Sequence, residues 1–197
     1  VTTIGDNAFS SCLKLTNVTI PDSVISIGSY VFSDCSSLTS VTFNNTSGWY
    51  YTNNSDFTGG EEIVVTDPVQ NAENLKDTYS GYYWYRPTEL TATADTVADT
   101  IRNLSAGTYM LKVSGVTNTT ITEIANAMNS NTEAKINLDL SGTTGLTEIA
   151  DSAFSNCFSL TNITIPESVI KIEANAFISC TALNSVTIGN GVTSIGA

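Results

Sequence analysis

The sequence predicts an α/β solenoid, a stack of similar coils that each contribute a short parallel strand and a short helical turn. The first observation is internal repetition: apolar residues return every 23 positions near both ends of the chain, as in the pairs Phe9 and Phe32 or Phe154 and Phe177. The second is that polar and apolar residues alternate within each copy, which indicates a strand with one buried face. The third is that a single copy holds too few apolar residues to form a core, so the copies must stack.

Each copy divides into a strand, a turn and a return segment. Val18 and Ile20 are the inward residues of the alternating strand, and Pro21 ends it because proline has no N–H group to donate. Gly28 permits a sharp change of direction, and Ser29 is the expected N-cap of a short helical turn. A repeat of about 20–29 residues with this order of elements is typical of leucine-rich repeats.

Residues 1–43 hold almost two copies, and the repetition then stops. Residues 44–87 form an irregular, aromatic-rich insert, with a short strand expected at 62–66 and a short helix at 72–77. Four of its residues are candidate binding residues: Trp49, Tyr51, Tyr82 and Trp84. Two interpretations are open. In one, the rings form a small core against the solenoid; in the other, they are exposed as a contact surface for a protein or a sugar.

Residues 88–148 predict two longer α/β coils that continue the solenoid. A helical face with Val97 and Ile101 comes first and a strand follows at 109–113, after which Thr120 and Glu123 predict a capping box at the start of a second helix. That helix has an apolar stripe made of Ile121, Ile124, Ala125 and Met128. A further strand follows at 135–140. We expect these strands to join one parallel sheet with the regular copies at 149–197, with the helices on the convex side. A separate small α/β unit is the alternative.

The composition restricts the classes of partner. The 7 basic and 19 acidic residues give a formal net charge of −12, which argues against nucleic acid and against an anionic membrane surface, since both attract Lys and Arg. No apolar run is long enough to insert into a membrane. The segment 192–196 resembles 1–5, so we expect the chain to be a piece of a longer array whose targeting signals lie outside it.

The sequence contains no constellation of catalytic residues. Because it has no histidine, a Ser-His-Asp or Cys-His arrangement is excluded, and we predict no enzyme activity, no metal site and no cofactor. The cysteines share one position of the repeat: Cys12, Cys35, Cys157 and Cys180. Stacked coils would bring them within disulfide distance in pairs, but small thiols that fill a tight inner position are the favoured interpretation.

The outward face of the strands is the remaining candidate site, because stacking aligns its side chains into rows. Eight polar residues occupy this face: Asn17, Thr19, Ser40, Thr42, Asn162, Thr164, Ser185 and Thr187. Such rows form the extended concave surface that solenoids use for recognition. The alternative is a hydrated sheet face without a ligand, since the exposed side of a strand is polar in either case.

The phrases LTNVTIPDSVISIG (15–28) and AFSSC (8–12) resemble the leucine-rich repeats of BspA-like bacterial surface proteins. The resemblance is close over 1–43 and 149–197, loose over 88–148 and slight over 44–87. It implies a secreted or surface-attached protein whose repeats adhere to host extracellular-matrix or cell-surface proteins. We therefore expect a non-enzymatic, extracellular interaction module that binds a protein through the concave face, the aromatic insert or both. A structural spacer and a carbohydrate-binding module that uses the Trp/Tyr cluster are the alternatives.

Overall fold

The computed structural model describes residues 1–196. The chain folds into two compact units, one from Val1 to Pro87 and one from Thr88 onward. Each unit has an apolar core of its own.

In the described residues, the first unit contains seven strands and one α-helix, which continues into a π-helical turn. The strands are β1 (Thr3–Ile4), β2 (Asn17–Ile20), β3 (Ser26–Ile27), β4 (Ser40–Phe43), β5 (Trp49–Thr52), β6 (Glu61–Ile63) and β7 (Tyr83–Tyr85). Helix α1 spans Pro68–Glu73, and the π-helical turn spans Asn74–Thr78.

The regular coils of this unit stack with a shift of one repeat. Strand β2 pairs with β4 in parallel, so that Val18 lies beside Val41, and β1 pairs with β3 in the same way. On the opposite side of the coils the ring of Phe9 stacks on that of Phe32, with centroids 5.6 Å apart. The inward residues therefore form continuous columns, as the spacing of 23 residues predicts.

Between their strands, the regular coils form single turns closed by hydrogen bonds between residues three apart. Asn7 and Ser11 have positive φ angles of 56° and 60°. Their N–H groups donate to the next coil, at the carbonyl oxygens of Ser29 and Ser33, over 3.0 and 2.8 Å. The short helical turns expected here are thus single turns that hydrogen bonds join from coil to coil.

The aromatic-rich segment forms a small antiparallel sheet. Strand β5 pairs with β6 on one side and with β7 on the other, both antiparallel, and β7 also pairs with β3, which gives the order β1-β3-β7-β5-β6. The strand predicted at 62–66 lies at Glu61–Ile63, and the helix predicted at 72–77 begins earlier, at Pro68. The earlier start has a local cause: the Asp67 carboxylate caps the N–H groups of Val69 and Gln70, and proline favours the first helical turn.

The second unit contains eight strands and two α-helices among the described residues. The strands are β8 (Thr88–Thr93), β9 (Gly107–Ser114), β10 (Ala134–Asp139), β11 (Glu148–Ile149), β12 (Leu160–Ile165), β13 (Lys171–Ile172), β14 (Ser185–Ile188) and β15 (Ser194–Ile195). The helices are α2 (Val97–Arg102) and α3 (Ile121–Ser130).

A five-stranded parallel sheet dominates the second unit, with the order β14-β12-β10-β9-β8. A second parallel sheet has the order β11-β13-β15. The strands of the longer coils and of the regular copies thus share one parallel sheet, as predicted. The apolar stripe of α3 is fully buried, which also agrees with the prediction: Ile121, Ile124, Ala125 and Met128.

The capping box predicted for α3 does not form. The Thr120 hydroxyl accepts a hydrogen bond from the N–H group of Thr117, 2.9 Å away, and makes no cap bond to the helix. Thr117 lies in the preceding turn, and its own hydroxyl is within 3.3 Å of that of Thr120. The Thr120 hydroxyl is therefore engaged in the preceding Thr-rich turn and does not cap the helix.

All four cysteines are free thiols in the structure. The Cys35 thiol donates to the carbonyl oxygen of Phe9, 3.0 Å away, and the Cys180 thiol donates to that of Phe154, 2.9 Å away. Each of these bonds joins neighbouring coils. Cys35 and Cys157 are buried, in line with the interpretation as inner thiols, whereas Cys180 is half-buried and Cys12 is exposed, which the interpretation did not predict.

Candidate functional site

The outward side chains of the five-stranded sheet lie in two straight rows, which we call the polar face. Strand pairing places one residue of each strand in each row. The first row runs Glu89, Met110, Asn137, Asn162, Ser185, and the second runs Thr91, Lys112, Asp139, Thr164, Thr187. Parallel strands without a change of direction align equivalent residues across a sheet, so the rows follow from the stacking itself.

A β-bulge fixes the centre of the polar face. Between Leu160 and Asn162 the strand β12 carries one extra residue, Thr161, opposite β10. The buried Thr161 hydroxyl donates to Oδ1 of Asn137 over 2.6 Å, and Asn137 is only 3% exposed. Within residues 1–196, neither Nδ2 of Asn137 nor Oδ1 of Asn162 has a hydrogen-bond partner. The bulge thus withdraws one amide from the surface and leaves the flanking row residues accessible.

The polar face changes character from one edge to the other. Near β8 it is charged: the Lys112 ammonium lies 3.9 Å from the Glu89 carboxylate, and Asp139 accepts a hydrogen bond from the N–H group of Ser141 over 2.9 Å. Toward β14 it carries only hydroxyl and amide groups. Such a gradient presents charge-assisted contacts at one side and neutral hydrogen bonds at the other.

A cleft of about 540 Å³ adjoins the neutral part of the polar face. It lies where β10, β12 and β14 end, and Thr164 and Thr187 lie in its wall. The other lining residues are Ser141, Thr143, Thr144, Ile165, Pro166, Glu167, Ser168, Ile188, Gly189 and Asn190. The hydroxyl groups of Thr143 and Ser168 already donate hydrogen bonds to backbone carbonyl oxygens. Thr164 and Thr187 are therefore better placed to bind a ligand.

The eight residues predicted for the concave face occupy two sheets rather than one. Four of them line the sheet of β2 and β4 in the first unit, where Asn17 lies beside Ser40 and Thr19 beside Thr42. The other four, from β12 and β14, belong to the polar face: Asn162, Thr164, Ser185 and Thr187. The prediction of aligned pairs therefore agrees with the register inside each unit, and a binding role for these residues remains a proposal.

The polar face extends across β8, β9 and β10 through six further residues that were not among the predicted site residues. These are Glu89, Thr91, Met110, Lys112, Asn137 and Asp139. Strands β8 and β10 alternate inward apolar and outward polar residues, and β9 does so except at the outward Met110, so the signal was present. It was hidden because the longer coils do not keep the spacing of 23 residues.

The structure contradicts an exposed position for two of the four aromatic candidates. Trp49 and Trp84 are 1% and 0% exposed, and both rings pack on Phe43, with centroids 4.9 and 6.3 Å away. A buried ring offers no face to a sugar or a protein, so neither tryptophan is a contact residue. Tyr51 and Tyr82 do reach the surface: Tyr51 is half-buried, and Tyr82 is 37% exposed.

Across residues 1–196, no group of three or more His, Cys, Asp or Glu side chains is arranged to hold a metal ion. Within the same residues, no helix has the length and apolar character that a membrane crossing requires. What the polar face offers is hydrogen bonding on a rigid sheet.

A family model and a solved structure match this chain. The profile of the BspA type leucine rich repeat region matches six copies, over residues 1–67 and 109–197. The crystal structure of a leucine rich cell surface protein from Faecalibacterium prausnitzii A2-165 is similar at 22% identity and a TM-score of 0.27, over 95% of this chain and 51% of that one. This chain thus spans about half the length of that protein. The search of curated proteins gave no match.

The family match includes both runs of regular copies and the part of the longer coils from residue 109 onward. It extends well beyond the two segments in which the resemblance is close by eye. The match covers more than half of the chain, and the parallel strands stacked coil on coil agree with it. The chain belongs to the family of BspA-type leucine-rich-repeat proteins.

Proposed function

We propose that this chain is a non-enzymatic protein-interaction module of a bacterial cell-surface protein, and that it binds its partner through the polar face of the second unit. Membership of a leucine-rich-repeat family supports an interaction role, since such solenoids recognise partners with their exposed sheets. The observation that carries the proposal is the alignment of two rows of residues across five strands, in which every side chain except that of Asn137 reaches the surface.

The geometry of the polar face suits a folded protein partner. Five strands spaced by about 4.8 Å make each row about 20 Å long, so a partner that lies along the rows contacts all five strands at once. Short Thr, Ser and Asn side chains on a sheet lose little conformational entropy when they are ordered. The cleft beside Thr164 and Thr187 adds a recess for one projecting side chain of the partner.

The partner class that we propose is a host extracellular-matrix or cell-surface protein. The resemblance to BspA-like adhesive repeats supports this finer assignment, as does the net charge of −12, which favours association with proteins that carry basic patches. A module with this role acts outside the cell. A purely structural spacer would share the fold but would have no partner at the polar face.

Binding to immobilised fibronectin, fibrinogen and a small glycan panel at physiological salt tests the proposal. We expect saturable binding to a matrix protein, and a loss of at least about tenfold in affinity for the double variant Thr164→Lys and Thr187→Lys, because two long side chains would fill the cleft and displace the partner. The matched control is Thr132→Lys and Thr181→Lys, which adds the same charge at exposed loop positions outside the rows.

Three outcomes would contradict the proposal. Equal losses in the two double variants would show that net charge, and not the polar face, controls binding. Binding to glycans alone would identify a carbohydrate-binding module. A chain that folds but binds none of these ligands would favour the spacer.

A further inference from the structure

Four tyrosines form an aromatic surface on the first unit, which we call the tyrosine surface: Tyr30, Tyr51, Tyr79 and Tyr82. The ring of Tyr51 lies 4.2 Å from that of Tyr79 and 5.4 Å from that of Tyr82, measured between centroids, and the Tyr79 and Tyr82 centroids are 5.7 Å apart. Tyr30 is 49% exposed. The surface therefore consists of three rings in mutual contact, Tyr51, Tyr79 and Tyr82, with the half-exposed Tyr30 beside the segment that carries two of them.

The rings are held in place before any ligand arrives. The Tyr51 hydroxyl donates to the Glu61 carboxylate over 2.7 Å, and this bond, with burial of the ring, raises the pKa of Tyr51. Tyr30 packs on Gly81, where a Cβ atom would come within 3.1 Å of the Tyr30 hydroxyl oxygen. Gly81 thus allows close contact between the ring of Tyr30 and the segment that carries Tyr79 and Tyr82.

A polar cavity of about 540 Å³ adjoins the tyrosine surface. Its lining residues are Ser33, Asp34, Cys35, Ser36, Lys76, Asp77 and Ser80. Ser80 joins the two features, because its carbonyl oxygen accepts the hydrogen bond of the Tyr30 N–H group. The cavity therefore opens beside Tyr30 and offers hydroxyl and carboxylate oxygens as acceptors.

The charges around these features are predominantly negative. Asp34 and Asp77 lie in the cavity wall, and Glu61 borders the tyrosines. Lys76 is the one cation that lines the cavity; its ammonium group donates to the carbonyl oxygen of Leu38 over 3.3 Å and lies 3.8 Å from the Asp77 carboxylate. Lys76 therefore offsets one of the carboxylates and leaves the site with a net negative charge.

The geometry points to a binding site for an arginine side chain of a basic protein segment, with its guanidinium group on the tyrosine rings and in the adjoining cavity. Ring faces attract cations, and the planar guanidinium group both stacks on aromatic rings and donates two parallel hydrogen bonds to a carboxylate. An anionic ligand would meet repulsion from three carboxylates. Because the site lies in the first unit, it is a second contact surface beyond the polar face proposed above.

Calorimetric titration with a blocked heptapeptide of alternating glycine and arginine, at physiological salt, tests the inference. We expect saturable binding that is several-fold weaker for the lysine counterpart and absent for the glutamine counterpart. The double variant Asp34→Asn and Asp77→Asn should weaken binding about fivefold. Asn is a mild change at Asp34, whose φ of 60° asparagine tolerates well. Lys76→Met should instead strengthen binding, because it removes the competing cation.

Matched variants separate a built site from attraction by the net charge. Glu123→Gln with Glu133→Gln removes the same two charges from exposed positions of the second unit, and it should change affinity less than twofold. Tyr82→Ala should weaken binding about two- to fivefold, whereas Phe158→Ala, at a residue of similar exposure, should have no effect. Tyr82→Leu preserves packing if Tyr82→Ala fails to fold.

Three results would overturn the inference. The first is an equal loss from the two acidic double variants, since general electrostatic attraction explains it. The second is unchanged affinity in both folded Tyr82 variants. The third is no saturable binding of the arginine peptide.

Discussion

Truncation of Phe32 is the most direct test of how the coils of the first unit are held together. Phe32 is fully buried, and its ring stacks on that of Phe9 at an interplanar angle of 7°. Phe32→Ala removes the ring from between two coils and leaves a cavity that stacked backbones cannot readily close. We expect a loss of about 3–5 kcal/mol in the free energy of unfolding.

Phe9→Ala is the matched control, because it removes the other ring of the same pair. Phe9 is 40% exposed, so its truncation leaves no closed cavity. We expect a smaller loss of about 1–2 kcal/mol, from the buried part of the ring and the lost stacking.

Urea denaturation followed by tryptophan fluorescence measures both variants. The chain has two tryptophans, Trp49 and Trp84, and both are buried in the first unit, so their emission reports on that unit. With a urea dependence of about 1.5 kcal/mol per molar, Phe32→Ala should lower the midpoint by about 2–3 M. A loss below about 1 kcal/mol, or one no larger than that of Phe9→Ala, would refute the stacking of coils described above.

Three further predictions concern the cysteines and the buried Asn131. Timed alkylation with iodoacetamide should modify the exposed Cys12 first and the buried Cys157 last, and equal rates would contradict the free, inner thiol at Cys157. Burial, with a smaller contribution from Cys180, raises the pKa of Cys157 to about 12 from an ordinary value of 9.0. Since the unfolded thiol ionises first, stability should fall as pH rises from about 9 to 12, and urea melts followed by circular dichroism should show this slope reduced in Cys157→Ala. Asn131→Ala should cost about 2–4 kcal/mol in the same melts, because the buried amide donates to the carbonyl oxygens of Ile101 and Leu104 and accepts from the N–H group of Ala134. The exposed Asn126→Ala is its control, and equal costs would contradict the role of Asn131.

The repetition made much of the fold predictable. In a parallel stack with one coil per repeat, a spacing of 23 positions in sequence becomes a contact between neighbours in space. Val18 beside Val41 and Ile163 beside Val186 follow from this rule. The paired polar residues of the outward face follow from it as well, including Thr164 beside Thr187.

The predictions from the sequence failed in the segment where the repetition stops. Strand β7 pairs with β3 through Tyr85 and Ser26, two residues far apart in sequence with no periodic signal to connect them. That pairing joins the antiparallel sheet of the aromatic segment to the regular coils, and in this sheet both tryptophans are buried. Their residue types fitted an exposed binding surface and a core equally well, so only the pairing could decide between these interpretations.

The sequence by itself determined the coil, its 23-residue length, the inward columns and the paired polar residues of the regular copies, because repetition turns distant contacts into local ones. The tertiary structure alone decided the burial of Trp49 and Trp84, the bulge at Thr161 that withdraws Asn137, and the two cavities. Each of these depends on one pairing chosen among many segments that could compete for it. The pairing that forms is the one that gives the whole packed unit its lowest free energy, so it cannot be predicted from a local sequence pattern.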